Sequence, residues 1–127
     1  MNYRTRVLCV DDEPINLQLL KITLGKKFNV ITAGSTLEGL RILDENHDIA
    51  VVISDMKMPH MSGLEFIGVA KQRYPDVDYY ILTGFDITDE IQQALDNGTM
   101  TKYFRRPFNL TEIELAIACA LQGKGQT

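Results

Sequence analysis

The chain lacks any apolar run approaching the roughly 18 residues that cross a bilayer as a helix, so no membrane span is expected. It is also poor in cysteine. Cys9 and Cys119 lie far apart, in apolar surroundings and without metal-ligand spacing, and read as free buried thiols rather than as a zinc site or disulfide framework. Positive charge is not in excess: thirteen basic against seventeen acidic residues give a net charge of -4. That balance argues against a surface built to hold a phosphate backbone, and no direct nucleic-acid partner is expected. The opening "MNYRTRVLCVDDE" meets acids too soon for a secretory signal, so the expected location is cytoplasmic. Low-complexity segments are missing. Only "QGKGQT" at 122–127 reads as a flexible tail or truncated linker, after one domain over 1–121.

What is present is an alternation. At 127 residues and 45% hydrophobic, the chain suits one domain with a sizeable core. Short apolar runs at 6–10, 28–33, 49–54, 78–83 and 102–105 read as strands. Stretches of helical period at 14–24, 36–45, 63–73, 88–97 and 110–121 separate and follow them. Pro14 suits a first helical turn and Gly25 a C-terminal stop. Ser35 with Glu38, and Asn109 with Glu112, have the spacing of capping boxes.

Five β-α repeats with strands apolar on both faces imply a parallel sheet covered by helices on each side. All the strand C-terminal ends of such a sheet share one edge, where open α/β sheets bind ligands. Asp11 and Asp12 then follow the first strand, Asp55 the third, Thr83 ends the fourth, and Arg105 and Arg106 close the fifth. "DDE" alone reads equally well as an acid cluster at a helix N-terminus. With Asp55 beside it, three carboxylates repel one another, and protonation, separation or a bound cation relieves them. Magnesium is the natural guest, being a hard ion that takes oxygen ligands and works beside phosphate. A carboxylate, a hydroxyl and a guanidinium around it make a phosphoryl-handling site.

The pieces "VLCVDDEP", "VVISDMKMPHMSGLE", "YYILTG" and "YFRRPF" stand in the order, and at nearly the spacing, of the receiver domain of two-component response regulators, which the chain resembles over about 5–121. The resemblance implies a flavodoxin-like (βα)5 fold whose five-stranded parallel sheet has the order 2-1-3-4-5. It further implies that Asp55 is the phosphoacceptor, attacking a phosphohistidine of a histidine kinase or phosphotransfer protein. Asp12 and Asp55 would bind Mg2+ directly, Asp11 largely through water, and Lys57 through its main-chain carbonyl. Thr83 would swing toward the phosphoryl group, Gly84 would leave it room, and Tyr103 would be the aromatic that turns inward as Thr83 moves. Met58, Pro59 and Gly63 would shape the loop after the acid, while Lys57 and Phe85 would flank the phosphoryl group. The protein would catalyse only its own phosphorylation and dephosphorylation.

Two departures stand out. The family's lysine before proline is replaced by Arg106, a planar fork in place of a compact ammonium, and the segment from Gly98 to Pro107 is one residue longer than usual. The alternative reading is therefore a receiver-like interaction module uncoupled from phosphorylation. An aspartyl-phosphate hydrolase would want its second acid two residues after the first, and a flavin binder would want a hydroxyl- and glycine-rich loop where "VDDEP" stands. The last helix has no polar side chain from Leu115 through Leu121, so a covering partner is expected on its outer face. A homodimer through the helix 4/strand 5/helix 5 face or an effector domain would serve.

Overall fold

The structure is a computed structural model and describes residues 5–59, 61–84, 88–105 and 109–125. Ten elements alternate along the chain: β1 (Arg6–Val10), α1 (Pro14–Leu24), β2 (Asn29–Ala33), α2 (Thr36–Glu45), β3 (Ile49–Asp55), α3 (Gly63–Arg73), β4 (Asp78–Thr83), α4 (Asp89–Asp96), β5 (Lys102–Arg105) and α5 (Leu110–Gly125). The strands form one parallel sheet of order β2-β1-β3-β4-β5, as expected.

Alternation of side chains along the strands sorts the interior into two layers. Leu8 and Val10 of β1, Val52 of β3 and Tyr79 and Ile81 of β4 face α2, α3 and α4, meeting Leu40, Phe66, Ile67 and Ile91. Val7 and Cys9, Val51 and Ile53, and Tyr80 and Leu82 face the other way, onto Leu20 and Leu24 of α1 and Ile113 and Ile117 of α5. A strand buried on both faces has no polar position to spare, which is why these runs read as continuous apolar sequence.

Several helix ends differ from expectation in an instructive way. Pro14 does open α1, and Gly25 closes it in right-handed geometry (φ -63°), so the stop draws on glycine's missing side chain, a Cβ there lying 2.3 Å from the Lys21 carbonyl oxygen, and not on a left-handed backbone. Ser35 accepts from the Glu38 amide at 3.1 Å, whereas the Glu38 carboxylate reaches past it to the Gly34 amide. Asn109 caps the Thr111 amide at 2.8 Å instead of pairing with Glu112. A reciprocal box forms at Ser62 and Glu65, which sequence reading passed over. Helix α5 continues to Gly125, four residues past the expected end. Cys9 is buried as expected, but Cys119 is exposed: it lies on the outward side of α5, where apolar character does not bring burial.

The extra residue is accommodated between α4 and β5. Gly98 takes a positive φ of 79°, the Thr99 amide donates to the Asn97 side chain, and the Met100 amide donates to the Ala94 carbonyl, tucking Met100 into the core. The Thr101 amide then meets the Tyr79 carbonyl, and β5 enters the sheet in regular register, Tyr103 opposite Ile81 and Arg105 opposite Thr83. Spacing from Tyr103 to Arg106 is thereby left at three residues, as in the family's "Y-x-x-K".

Candidate functional site

The sheet register builds the site. Val10 pairs with Ser54, so the next residue of each strand, Asp11 and Asp55, emerges at the same level of the C-terminal edge. The Asp11 amide donates to the Ala33 carbonyl, and its Oδ1 accepts from the Glu13 amide at 2.9 Å, folding the β1–α1 connection back over the edge. That turn brings Asp12 alongside. Asp11, Asp12 and Asp55 each offer a carboxylate oxygen, and these oxygens lie within 4.8 Å of one another. Asp11 is buried, Asp55 half-buried and Asp12 exposed, so the cluster forms a graded wall from sheet to solvent.

The loop after Asp55 is drawn tight by its backbone. The Met56 amide donates to the Leu82 carbonyl at 3.0 Å, and the Met56 carbonyl accepts from the Gly63 amide at 2.9 Å. Gly63 comes so close to the acceptor strand that a Cβ there would lie 2.2 Å from the Asp55 carbonyl oxygen. Lys57 is exposed at the mouth, which together with Asp12, Glu13, Asn16, Asp55, Met56 and Gly84 encloses about 340 Å3. Thr83 is buried at the end of β4, one register step beyond the Asp55–Leu82 pair. It borders a second, more apolar cleft of about 540 Å3 walled by Met56, Met58, Pro59 and Ile91, with Asp12 and Lys57 at its rim.

The predicted residues Asp11, Asp12, Asp55, Lys57, Thr83 and Gly84 are thus gathered at one edge. Tyr103 is half-buried on β5, packed against the α4-side core two residues short of the strand's end. Arg106 and Phe85 lie outside the described residues. Burial, aided by the Asp11 charge, pushes the Cys9 thiol up to about 12, so this neighbour of the cluster is a packing residue.

Sequence reading missed one surface. Helix α1 buries Leu20 and Leu24 yet exposes Ile15, Leu19 and Ile22, an apolar stripe that begins two residues after Glu13. Its signal was present in "PINLQLLKITL", apolar at spacings of four and three on the side opposite the buried leucines.

The residues present fit a hard divalent cation: three carboxylate donors converge at one solvent-accessible point, an oxygen set suited to Mg2+. Comparison with known proteins agrees with the fold. The model of the response regulator receiver domain family matches residues 7–118, and the chain belongs to that family of two-component signalling proteins. It is 31% identical to the response regulator protein PilR of Pseudomonas aeruginosa over 94% of the chain and 26% of PilR. It is 34% identical to the transcriptional regulatory protein KdpE of Mycobacterium tuberculosis over 93% of the chain and 51% of KdpE. The chain therefore spans about a quarter of the length of PilR and about half that of KdpE. Among solved structures, a response regulator receiver domain protein from Clostridium thermocellum superposes with a TM-score of 0.85 at 35% identity, covering 95% of this chain and 97% of that one. Response regulator TrrA from Thermotoga maritima, solved in complex with Mg2+ and BeF, superposes with a TM-score of 0.79 at 28% identity, covering 91% and 98%. No helix among the described residues is long and apolar enough to cross a membrane.

Proposed function

We propose that the chain is a phosphorylation-gated switch that accepts a phosphoryl group on Asp55. The observation that carries this reading is the convergence of three carboxylate oxygens within 4.8 Å beside the buried Thr83, at the C-terminal edge of the sheet. An Asp55 oxygen bonds to phosphorus as the phosphorus–nitrogen bond of a phosphohistidine breaks, and the imidazole leaves. Asp12 and Asp55 would hold Mg2+ directly, Asp11 through water, and Lys57 through its main-chain carbonyl. Bound there, the ion supplies positive charge that offsets the carboxylates and the incoming phosphoryl oxygens. Thr83 donates its hydroxyl to a phosphoryl oxygen, and Arg106 adds a cation at the end of β5. Tyr103, two residues before Arg105, turns inward as Thr83 moves, and the α4/β5/α5 face changes shape.

A protein donor must reach Asp55 through the mouth that Glu13 and Asn16 wall on one side. The stripe of Ile15, Leu19 and Ile22 leads away from that mouth and is the natural seat for a helix of a histidine kinase or phosphotransfer protein. On the output side, a groove of about 540 Å3 runs along β5 past Leu95, Tyr103, Arg105 and Glu112. A partner domain or a second copy would dock there.

One experiment tests both parts. With Mg2+ and a small phosphodonor, the native chain should gain one phosphoryl group by intact mass and Asp55→Asn none; equal labelling of the two would sink the assignment. Ile15→Ser with Leu19→Ser should label normally from the small donor but more slowly from a phosphorylated kinase or phosphotransfer protein. Unchanged transfer from the protein donor would remove α1 from the docking surface.

A further inference from the structure

The chain has five methionines, and three of them, Met56, Met58 and Met61, fall within six residues of the loop that follows Asp55. All three are partly exposed and pack against the α3/α4-side core, while Met100 is 1% exposed. Met56 and Met58 form a wall of the 540 Å3 cleft that also takes in Thr83 and Asp12. Between them sits Lys57. The Met56 backbone ties this loop to both β4 and α3 through its bonds to Leu82 and Gly63.

We propose that Met56 and Met58 are a modification site: a peroxide oxidises their thioethers to sulfoxides, and the oxidised loop accepts phosphate poorly at Asp55. The inference rests on Asp55 being the phosphoacceptor. A thioether lone pair attacks the peroxide oxygen, the O–O bond breaks, a sulfur–oxygen bond forms, and water leaves. Sulfur loses two electrons and the peroxide gains them. The new oxygen is a strong, well-hydrated acceptor on a side chain that had packed against the buried apolar cluster, and keeping it there costs its hydration. The side chain therefore turns out to water and carries the loop with it, displacing the Lys57 carbonyl and Asp55 from the arrangement around the acids. Met100, locked in the core, is the internal control. Exposed Cys119 is the competing target and is removed by Cys119→Ser.

The test treats the full chain carrying Cys119→Ser with hydrogen peroxide, maps the added oxygens by peptide mass, and measures labelling by a small phosphodonor with Mg2+ before and after treatment. Oxygen should reach Met56 and Met58 well before Met100, and the labelling rate should fall severalfold and return with methionine sulfoxide reductases. In Met56→Leu with Met58→Leu, the ratio of treated to untreated rates should stay near one. The inference is overturned if Met100 oxidises as early as Met56 and Met58, if oxidised protein labels at its untreated rate, or if the double variant loses as much as its parent. Absence of labelling before treatment would instead fail the phosphoacceptor reading, and this inference with it.

Discussion

At the scale of single residues, the tightest constraint on the site is a missing side chain. Gly63 opens α3 and also donates to Met56, and a methyl group there would sit 2.2 Å from the Asp55 carbonyl, inside any van der Waals contact. Because the obstacle is strand backbone, relief must come by moving β3 or the start of α3. Gly63→Ala should therefore destabilise by about 1–3 kcal/mol, as overpacking does, and slow phosphorylation of Asp55 as well. Urea denaturation alongside the labelling assay checks this; normal labelling with normal stability would mean that the loop relaxes freely. In the sequence, Gly63 was visible only as a member of a family pattern. Its physical necessity arises from a contact eight residues back along the chain, which no local propensity encodes.

At the scale of elements, α5 is held to the sheet by more than its two buried isoleucines. The Tyr80 hydroxyl donates to the Ala116 carbonyl at 3.0 Å, and Tyr80 stacks edge-on against Phe104 of β5. Burial, with smaller contributions from Asp78 and Cys119, pushes the Tyr80 phenol up to about 12. Its folded-state value lies above the ordinary one near 10, so the neutral phenol is the form that folding favours. The contribution is complete below pH about 10 and is lost as pH rises toward 12. Tyr80→Phe should cost about 0.5–1.5 kcal/mol at neutral pH and flatten the alkaline fall, measured by denaturation across pH 8 to 12. Strand β5 carries the other element-scale prediction. Since the extra residue is absorbed before the strand, Arg106 keeps its distance in sequence from Tyr103, and under the proposed function its cation pairs with the phosphoryl group on Asp55. Arg106→Ala should much reduce the NMR shifts around Thr83 and Tyr103 that a phosphoryl mimic induces, and Arg106→Lys should retain them. Identical shifts in native protein and Arg106→Ala would favour an interaction module uncoupled from phosphate.

For the whole molecule, the acid cluster links metal binding to folding. A cation that binds only the folded state stabilises it by about 2.7 kcal/mol at a hundred times its Kd. Without the ion, mutual repulsion of the carboxylates weakens the fold. Asp12→Ala should bind Mg2+ more weakly than Asp11→Ala and should raise the melting temperature in chelator, because exposed Asp12 gives up repulsion and little else. Asp11→Ala should gain less, since Asp11 also holds the Glu13 amide in the β1–α1 turn. Magnesium titration followed by NMR, with thermal melts in chelator and in the metal, would establish the order. A reversed order would mean that the two acids exchange roles.

Element order, the parallel sheet and the edge where the acids collect were all legible in the amino-acid sequence. Those follow from local facts: apolar runs too short and too uniform for surface helices, crossovers long enough to return each strand in parallel, and acids placed where the apolar runs stop. Most of the candidate site was legible for the same reason, since Asp11, Asp12, Asp55 and Thr83 each mark where a buried run stops. Which of two apolar faces a helix turns inward depends instead on contacts between elements distant in sequence. Helix α1 could bury Ile15, Leu19 and Ile22 or Leu20 and Leu24, and packing against Val7 and Val30 took the second set. Cys119 was misjudged for that reason, apolar character being a property of a residue and burial a property of its neighbours. The α4–β5 connection shows the same division. Counting revealed one residue too many, and the sheet's demand that Tyr103 meet Ile81 forced the surplus into the turn at Gly98.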